Sequence, residues 1–318
     1  MSLQRTTHHT ETIVKLRIGT RGSLLARWQA DWVASQLRTL AGAEVEVFEI
    51  RTQGDARTES ISGLSGQGVF TREIQLALLD HRIDLAVHSL KDLPTDVVEG
   101  LQLSAIPVRE SVADALISVA GASLAKLPAG ATIGTGSIRR RAQLLHARPD
   151  LRMADIRGNV DTRLRKLRDG EFAAIVLAEA GLRRLGLDGE ITEVLPPTLM
   201  LPAVGQGALG IETRVDDPQT IAAAKHLNHS PSQMAVLAER ALLAELRGGC
   251  LAPIGAWARL EGAALQLSAA VLSADGRERL LAQACSEPDQ ATELGHRVAA
   301  QLRAQGADRL VEQSRKAP

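Results

Sequence analysis

Short apolar runs alternate with amphipathic stretches along this chain. Residues 16–20 form a first apolar run and predict a strand, and residues 24–40 carry apolar side chains at helical spacing. Residues 44–52 alternate with a period of two, which turns Val45 and Val47 inward, with Phe48 or Ile50 as further inward candidates. Residues 53–69 are rich in Gly, Ser and Thr and predict a mobile loop; a helix over 71–79 and a buried strand over 85–88 follow. This βαβ rhythm predicts an α/β protein with mostly parallel sheets covered by helices.

An internal echo extends the pattern. Ile18-Gly19-Thr20-Arg21-Gly22-Ser23 and Ile133-Gly134-Thr135-Gly136-Ser137 each read as strand, Gly-containing turn and Ser cap before a helix. Each loop would point free backbone N–H groups and a helix N-terminus at an anion. The second unit continues with a helix from Ile138, a segment over 151–156, the turn Arg157-Gly158-Asn159, a helix from Asp161 and a buried strand over 173–178. Pro196, Pro197 and Pro202 break the pattern and mark a crossover between domains. After Pro231 come a helix over 232–245, the run Arg247-Gly248-Gly249-Cys250, alternating strands and a final helix over 291–305. The expected organisation is therefore 13–107 with 208–228, then 112–202, then a small C-terminal α+β domain over 231–318.

The chain has 318 residues, enough for two or three domains. Its net charge is zero and its pI about 7.1, which argues against nucleic acid or an anionic membrane as partner. Six of the 37 basic residues are lysines, which leaves 31 arginines. Genome composition alone can produce that bias, yet the planar guanidinium fork suits carboxylates and phosphates. Two cysteines, Cys250 and Cys285, make neither a disulfide framework nor a zinc site, and no metal is expected. No apolar run is long enough to span a membrane, and residues 1–12 lack a signal peptide's apolar core. They are expected to be a disordered extension, and the protein cytoplasmic.

Residues 84–94 concentrate the candidate chemistry. A buried strand ends there in His88, Ser89, Lys91 and Asp92, at the carboxyl end where open α/β sheets bind ligands. Taken alone, a Lys-Asp pair such as Lys91 and Asp92 is usually just a surface ion pair. Arg139, Arg140 and Arg141 fan over roughly 200° of a helix, so they cannot all face one ligand and at least one is solvated. Arg139 and Arg140, beside the Ser137 cap, are the better anion contacts; with Arg21, Arg157 and Arg163 they imply a ligand bearing several carboxylates or phosphates. Residues 205–210 match the glycine pattern of dinucleotide sites, but a strand rather than a helix follows. The glycines are expected to form a hinge or a close backbone approach to ligand. A lone cysteine is more often a small buried hydrophobe than a nucleophile. The glycines before Cys250 favour an exposed, reactive turn, whereas Cys285 lies in a strand-like segment.

Together these segments resemble the porphobilinogen deaminase (hydroxymethylbilane synthase) family. The matching residues are 17–23 with Trp28-Gln29-Ala30; 86–94; 134–140; Arg157-Gly158-Asn159-Val160 with Thr162-Arg163-Leu164; Ala178 with Ala180-Gly181-Leu182; 202–208; and Glu239-Arg240 with Gly248-Gly249-Cys250, in family order over almost the whole chain. The resemblance implies a monomer whose first two domains look like type-II periplasmic-binding-protein lobes, acting on the small molecule porphobilinogen. It implies a dipyrromethane cofactor held by a thioether to Cys250. Four porphobilinogen molecules would be added head to tail with loss of ammonia, and hydrolysis would release hydroxymethylbilane. Carried over residue by residue, Asp92 is the catalytic group, stabilising the azafulvene-like ring left when ammonia departs and managing protons on the pyrrole nitrogens and leaving amine. Ser89, Lys91, Asp92, Thr135, Ser137, Arg139, Arg140, Arg157, Gly158 and Cys250 would hold the cofactor, and Arg21, Ser23, Phe70, Arg163 and Gln206 the substrate. Each pyrrole carries an acetate and a propionate, so charge accumulates as the product grows; each charge-assisted bond to it is worth roughly 1.5–3 kcal/mol.

Some positions depart from the family. Gln67 stands where a basic residue is usual, the 53–69 loop is slightly shorter and lacks a Pro-Leu segment, and Ala113 replaces a commonly basic residue. An active enzyme with altered kinetics is expected. Two other classes remain: a hinged two-lobe binding module for a polycarboxylate, which gives Cys250 and the third domain no role, and a Rossmann-type oxidoreductase, disfavoured by the strand after Gly210.

Overall fold

The computed structural model describes residues 14–52, 71–249 and 252–316, and in them three sheets divide the chain. The first contains β1 (Lys15–Thr20), β2 (Glu44–Glu49), β3 (Leu85–Ser89), β4 (Leu101–Ala105) and β10 (Leu209–Arg214), in the order β2-β1-β3-β10-β4. The second contains β5 (Asp114–Ser118), β6 (Thr132–Gly134), β7 (Arg152–Ala154), β8 (Ala174–Ala178) and β9 (Glu193–Leu195), in the order β7-β6-β8-β5-β9. The third is antiparallel, with β11 (Ile254–Glu261), β12 (Ala264–Leu272) and β13 (Arg279–Ser286).

The two larger sheets share one plan. In each, the strand next to one edge (β1, β6) pairs in parallel with both neighbours, while a strand arriving from the other lobe (β10, β5) runs antiparallel to both of its partners. The expected α/β alternation and two-lobed plan hold, but the sheets are mixed rather than mostly parallel. Parallel neighbours need a crossover that returns the chain to the starting end. β5 and β10 instead enter directly from the neighbouring lobe and run the opposite way.

Local rules account for the helices. α1 (Leu24–Ala41) starts at Ser23, whose Oγ accepts the Ala26 N–H at 3.3 Å, and stops at Gly42 in the left-handed region (φ 62°). Its buried face, Ala30, Val33, Ala34 and Leu37, packs with Leu16, Ile18, Val45 and Leu85. Val45 is buried and Val47 partly so, but Phe48 is exposed, and Ile50, past the strand end, packs only partly. α2 (Arg72–Leu79), α3 (Ile138–Ala147), α4 (Val160–Arg168), α5 (Glu179–Arg184) and α6 (Pro218–Lys225) complete the two lobes. In the third, α7 (Ser230–Glu245) and α8 (Ala291–Ala304) cover one sheet face, with Leu294, Val298 and Leu302 against Leu265, Leu267 and Ala269. A last helix, α9 (Ala307–Lys316), was not expected; Leu310 and Val311 add to that core.

The lobes meet at Glu239 on α7, which is wholly buried. Its carboxylate accepts both arms of Arg109 (2.7 and 3.0 Å), the Gly205 N–H (2.7 Å) and the Ala258 N–H (2.9 Å). A buried carboxylate is tolerated only when so fully paired. Arg109 and Gly205 stand on the outgoing and returning crossovers, so one side chain joins both to the third lobe. Gly207 (φ 84°) lies against the other crossover: a Cβ there would sit 2.4 Å from the Glu110 carbonyl oxygen. The close approach expected of these glycines is therefore backbone to backbone, and β10 follows as a strand. Among the described residues no helix is long and apolar enough to cross a membrane.

Candidate active site

β3 lies between β1 and β10, so Leu85, Ala86 and Val87 are buried. The chain then enters a tight turn over Leu90–Asp92 that buries Leu90 and releases Lys91 and Asp92 beyond the strand end. His88 does not join them. Its Nε2 meets Glu212 Oε2 at 2.9 Å inside the core, and Gln75 Nε2 donates to Glu212 Oε1 at 2.9 Å, so the trio ties β3, β10 and α2 together. Ser89 Oγ accepts from Gln29 Nε2 at 2.9 Å.

The second lobe presents its cations from α3. Ser137 Oγ accepts the Arg140 N–H at 3.4 Å, and the Ser137 N–H donates to the buried Thr135 Oγ1 at 3.2 Å. Arg141 is exposed, while Arg139 and Arg140 fold inward onto Asp114. Arg139 Nη1 donates to Asp114 Oδ2 and to the Leu201 carbonyl, each at 2.7 Å. Arg140 Nε donates to Asp114 Oδ1 at 2.9 Å and its Nη1 to the Val176 carbonyl at 3.0 Å. Burial alone would raise the Asp114 pKa, but the two guanidiniums, aided by Gln206, hold it well below the usual carboxylate range. Arg139 is itself pushed down, chiefly by burial.

This placement gives three of the expected site residues partners within the protein. Arg139 and Arg140 form with Asp114 a buried cluster of one net positive charge. Gln206 is wholly buried, its Nε2 donating to Asp114 Oδ1 (3.0 Å) and the Val112 carbonyl (2.7 Å), so it links the two crossovers.

Lys91 feels the field of this cluster, and Arg163 and Arg157 extend it toward Asp92. Burial, then Arg140, pushes Lys91 down to about 8, while Asp92 and Asp114 pull it back up. Arg163 Nε donates to the Gly158 carbonyl at 2.8 Å; burial, then Arg140 and Arg157, lowers its pKa to about 10, with Asp92 opposing. Arg157 has no hydrogen-bond or ion-pair partner among the described residues. Gly158 (φ 109°) makes the turn that leads into α4. Lys91 and Asp92 of the first lobe therefore couple to Arg140 and Arg163 of the second. Like charges held this close favour binding an anion that relieves their repulsion. Arg21 and Ser23 stand at the head of α1, both half-buried.

Cys250, Phe70 and Gln67, with the whole 53–69 loop, lie outside the described residues. Sequence reasoning missed Arg184, whose Nη2 donates to the Gly207 carbonyl at 2.7 Å and whose pKa burial lowers to about 10. No local signal marked it: its acceptor, the Gly207 carbonyl, stands 23 positions away on the returning crossover. It also missed Asp114 as the partner of the arginines, and any role for Arg240.

Comparison with known proteins covers nearly the whole chain. The family model described as "Porphobilinogen deaminase, dipyromethane cofactor binding domain" matches residues 16–222, and "Porphobilinogen deaminase, C-terminal domain" matches residues 233–304. A protein named porphobilinogen deaminase from Desulforudis audaxviator is 48% identical over 300 residues, 94% of this chain and 97% of the relative. One of the same name from Shouchella clausii is 49% identical over 305 residues, 95% of this chain and 97% of its own length. Among solved structures, immunogenic lipoprotein A from Vibrio vulnificus aligns at TM-score 0.42 and 13% identity, covering 67% of this chain and 93% of that one.

Proposed function

The chain belongs to the porphobilinogen deaminase family, and from that premise we propose how its residues divide the work. It is a transferase, a hydroxymethylbilane synthase of tetrapyrrole biosynthesis. It joins four porphobilinogen molecules head to tail with loss of ammonia on a dipyrromethane cofactor, and hydrolysis then releases hydroxymethylbilane.

The donor set fits that cofactor, whose pyrroles carry carboxylates. Arg157, without a partner among the described residues, and Lys91 and Arg163, depressed by burial and then by neighbouring positive charge, form a surface that a polyanion would stabilise. Lys91, Arg157 and Arg163 would take its carboxylates directly, with Ser89, Thr135, Ser137 and the Gly158 turn shaping the wall and Arg21 and Ser23 meeting incoming substrate. Arg139 and Arg140 act through their field and through the wall they form with Asp114. Cys250 would hold the group as a thioether. When bound, the group supplies an electron-rich pyrrole end for each condensation.

Asp92 is the catalytic group. It faces Lys91 and Arg163 and stabilises the cationic ring left when porphobilinogen loses ammonia, moving protons at its carboxylate oxygens. The observation that carries this reading is the convergence of second-lobe cations on Lys91 and Asp92. We further propose the division 13–107 with 208–228, 112–202 and 231–318, and a cytoplasmic monomer with no nucleic-acid partner; the three separate sheets and the resemblance support it.

Intact mass tests the placement. Protein made in cells that supply porphobilinogen should carry an adduct of two pyrrole units, and Cys250→Ser should lose both adduct and turnover. An active, unmodified Cys250→Ser protein would overturn it.

A further inference from the structure

α7 reaches from the third lobe into the loop that follows Asp92. Arg240 Nη1 donates to the Leu93 carbonyl at 2.9 Å and Nη2 to the Pro94 carbonyl at 2.7 Å. These consecutive carbonyls lie in irregular backbone with no helix or strand partner, and Pro94 has no N–H of its own. Arg240 has no ion pair among the described residues; burial lowers its pKa and Glu212 opposes this. A largely buried guanidinium without a contacting carboxylate is costly unless its hydrogen bonds matter. Its surroundings are firm. Val236, one turn earlier on α7, packs with Leu90 and Leu93 on either side of Lys91 and Asp92. The adjacent Glu239 fixes α7 to both crossovers and to β11.

We propose that Arg240 is a positioning residue for the condensation: by gripping two successive carbonyls just after Asp92, it sets where that carboxylate stands relative to the lobe bearing Cys250. The helix that ends shortly before Cys250 thereby also holds the catalytic loop. This rests on the reading of Asp92 as catalytic and Cys250 as the attachment point. Removing the guanidinium frees two carbonyls and lets the loop shift, and a displacement of about 1 Å at a reacting group costs on the order of 100-fold in rate.

The test uses holoenzyme of Arg240→Met, Arg240→Lys and Asp92→Asn, with intact mass for the adduct, melting temperature for the fold and steady-state kinetics for the split. Arg240→Met should keep the adduct and a KM within about threefold of the parent while kcat falls about 10- to 100-fold. Arg240→Lys, able to serve one carbonyl at a time, should recover part of kcat. A merely structural role would lower the melting temperature and leave kcat of the folded fraction unchanged. That result, or equal kcat for the Met variant and the parent, overturns the proposal. If Arg240→Met gives no folded holoenzyme, Arg240→Lys decides by the same split: reduced kcat at parental KM supports, parental kcat overturns. Full turnover by Asp92→Asn would instead sink the reading beneath it, whereas inactive Asp92→Asn beside normal Arg240 variants removes this inference alone.

Discussion

The two five-stranded lobes carry different chemistry at equivalent backbone positions. Ile18 and Gly19 pair with Leu85 and Ala86 as Ile133 and Gly134 pair with Ala174 and Ile175. Each first strand then runs through a threonine to a serine that caps a helix. Opposite the last residue of β3 stands Leu209; opposite the last residue of β8 stands Asp114. Correspondingly, one capped helix begins Leu24-Leu25-Ala26 and the other Ile138-Arg139-Arg140. The core reverses the pattern: His88 and Glu212 in the first lobe occupy the positions of Leu177 and Ile117 in the second. A shared backbone plan supplies sites, and a few matched substitutions make one lobe the holder of negative charge and the other the bearer of the acid.

Neutralising the acid peculiar to the first lobe has the largest expected effect. Asp92→Asn should lower kcat by about 10²- to 10⁴-fold with the mass adduct retained; turnover within tenfold of the parent breaks the division of labour. Copying the first lobe into the second comes next. Asp114→Leu strands two buried guanidiniums and should cost about 3–5 kcal/mol in denaturant unfolding, part of which a second change, Arg139→Leu, should recover.

A milder effect is expected at Lys91. Its folded pKa of about 8 lies below the ordinary 10.5, so the ammonium is present below pH 8 and is lost above it. Its charge costs stability below about pH 8, and that cost is relieved as pH rises toward 10.5. Substrate KM should rise several-fold on the alkaline side, at a pH moved upward by bound carboxylates, and Lys91→Arg should flatten that limb. Smallest of all, the double change His88→Leu with Glu212→Ile, which copies the second lobe, should stay within about 1 kcal/mol of the parent in stability. Glu212→Ile alone should cost more, because it leaves the buried His88 without its partner.

What was legible in the sequence follows from the range of the forces involved. The α1 boundaries, both serine caps, β3 and the exposure of Arg141 depend on neighbours within a turn, and periodicity reads them directly. Lys91 and Asp92 were legible because strand ends bind ligands. The antiparallel entry of β5 and β10 was hidden, since the path between lobes leaves no periodic trace. The Asp114 cluster was hidden too: its carboxylate stands 25 positions before Arg139, and only the packing of α3 against the start of β5 brings them together. His88 and Gln206 looked available for chemistry because their partners, Glu212 and Asp114, come from other strands. The grip of Arg240 on Leu93 spans 147 positions.

The place of β10 has a consequence for biosynthesis. It lies between β3 and β4, yet it is translated after the whole second lobe. While a ribosome is still extending the chain toward Arg214, the N-terminal sheet is split, with an open edge on β3. Chaperone capture or mispairing with another nascent chain has its opportunity in that interval. A messenger cut short after β9 would remove an inner strand of the part made first.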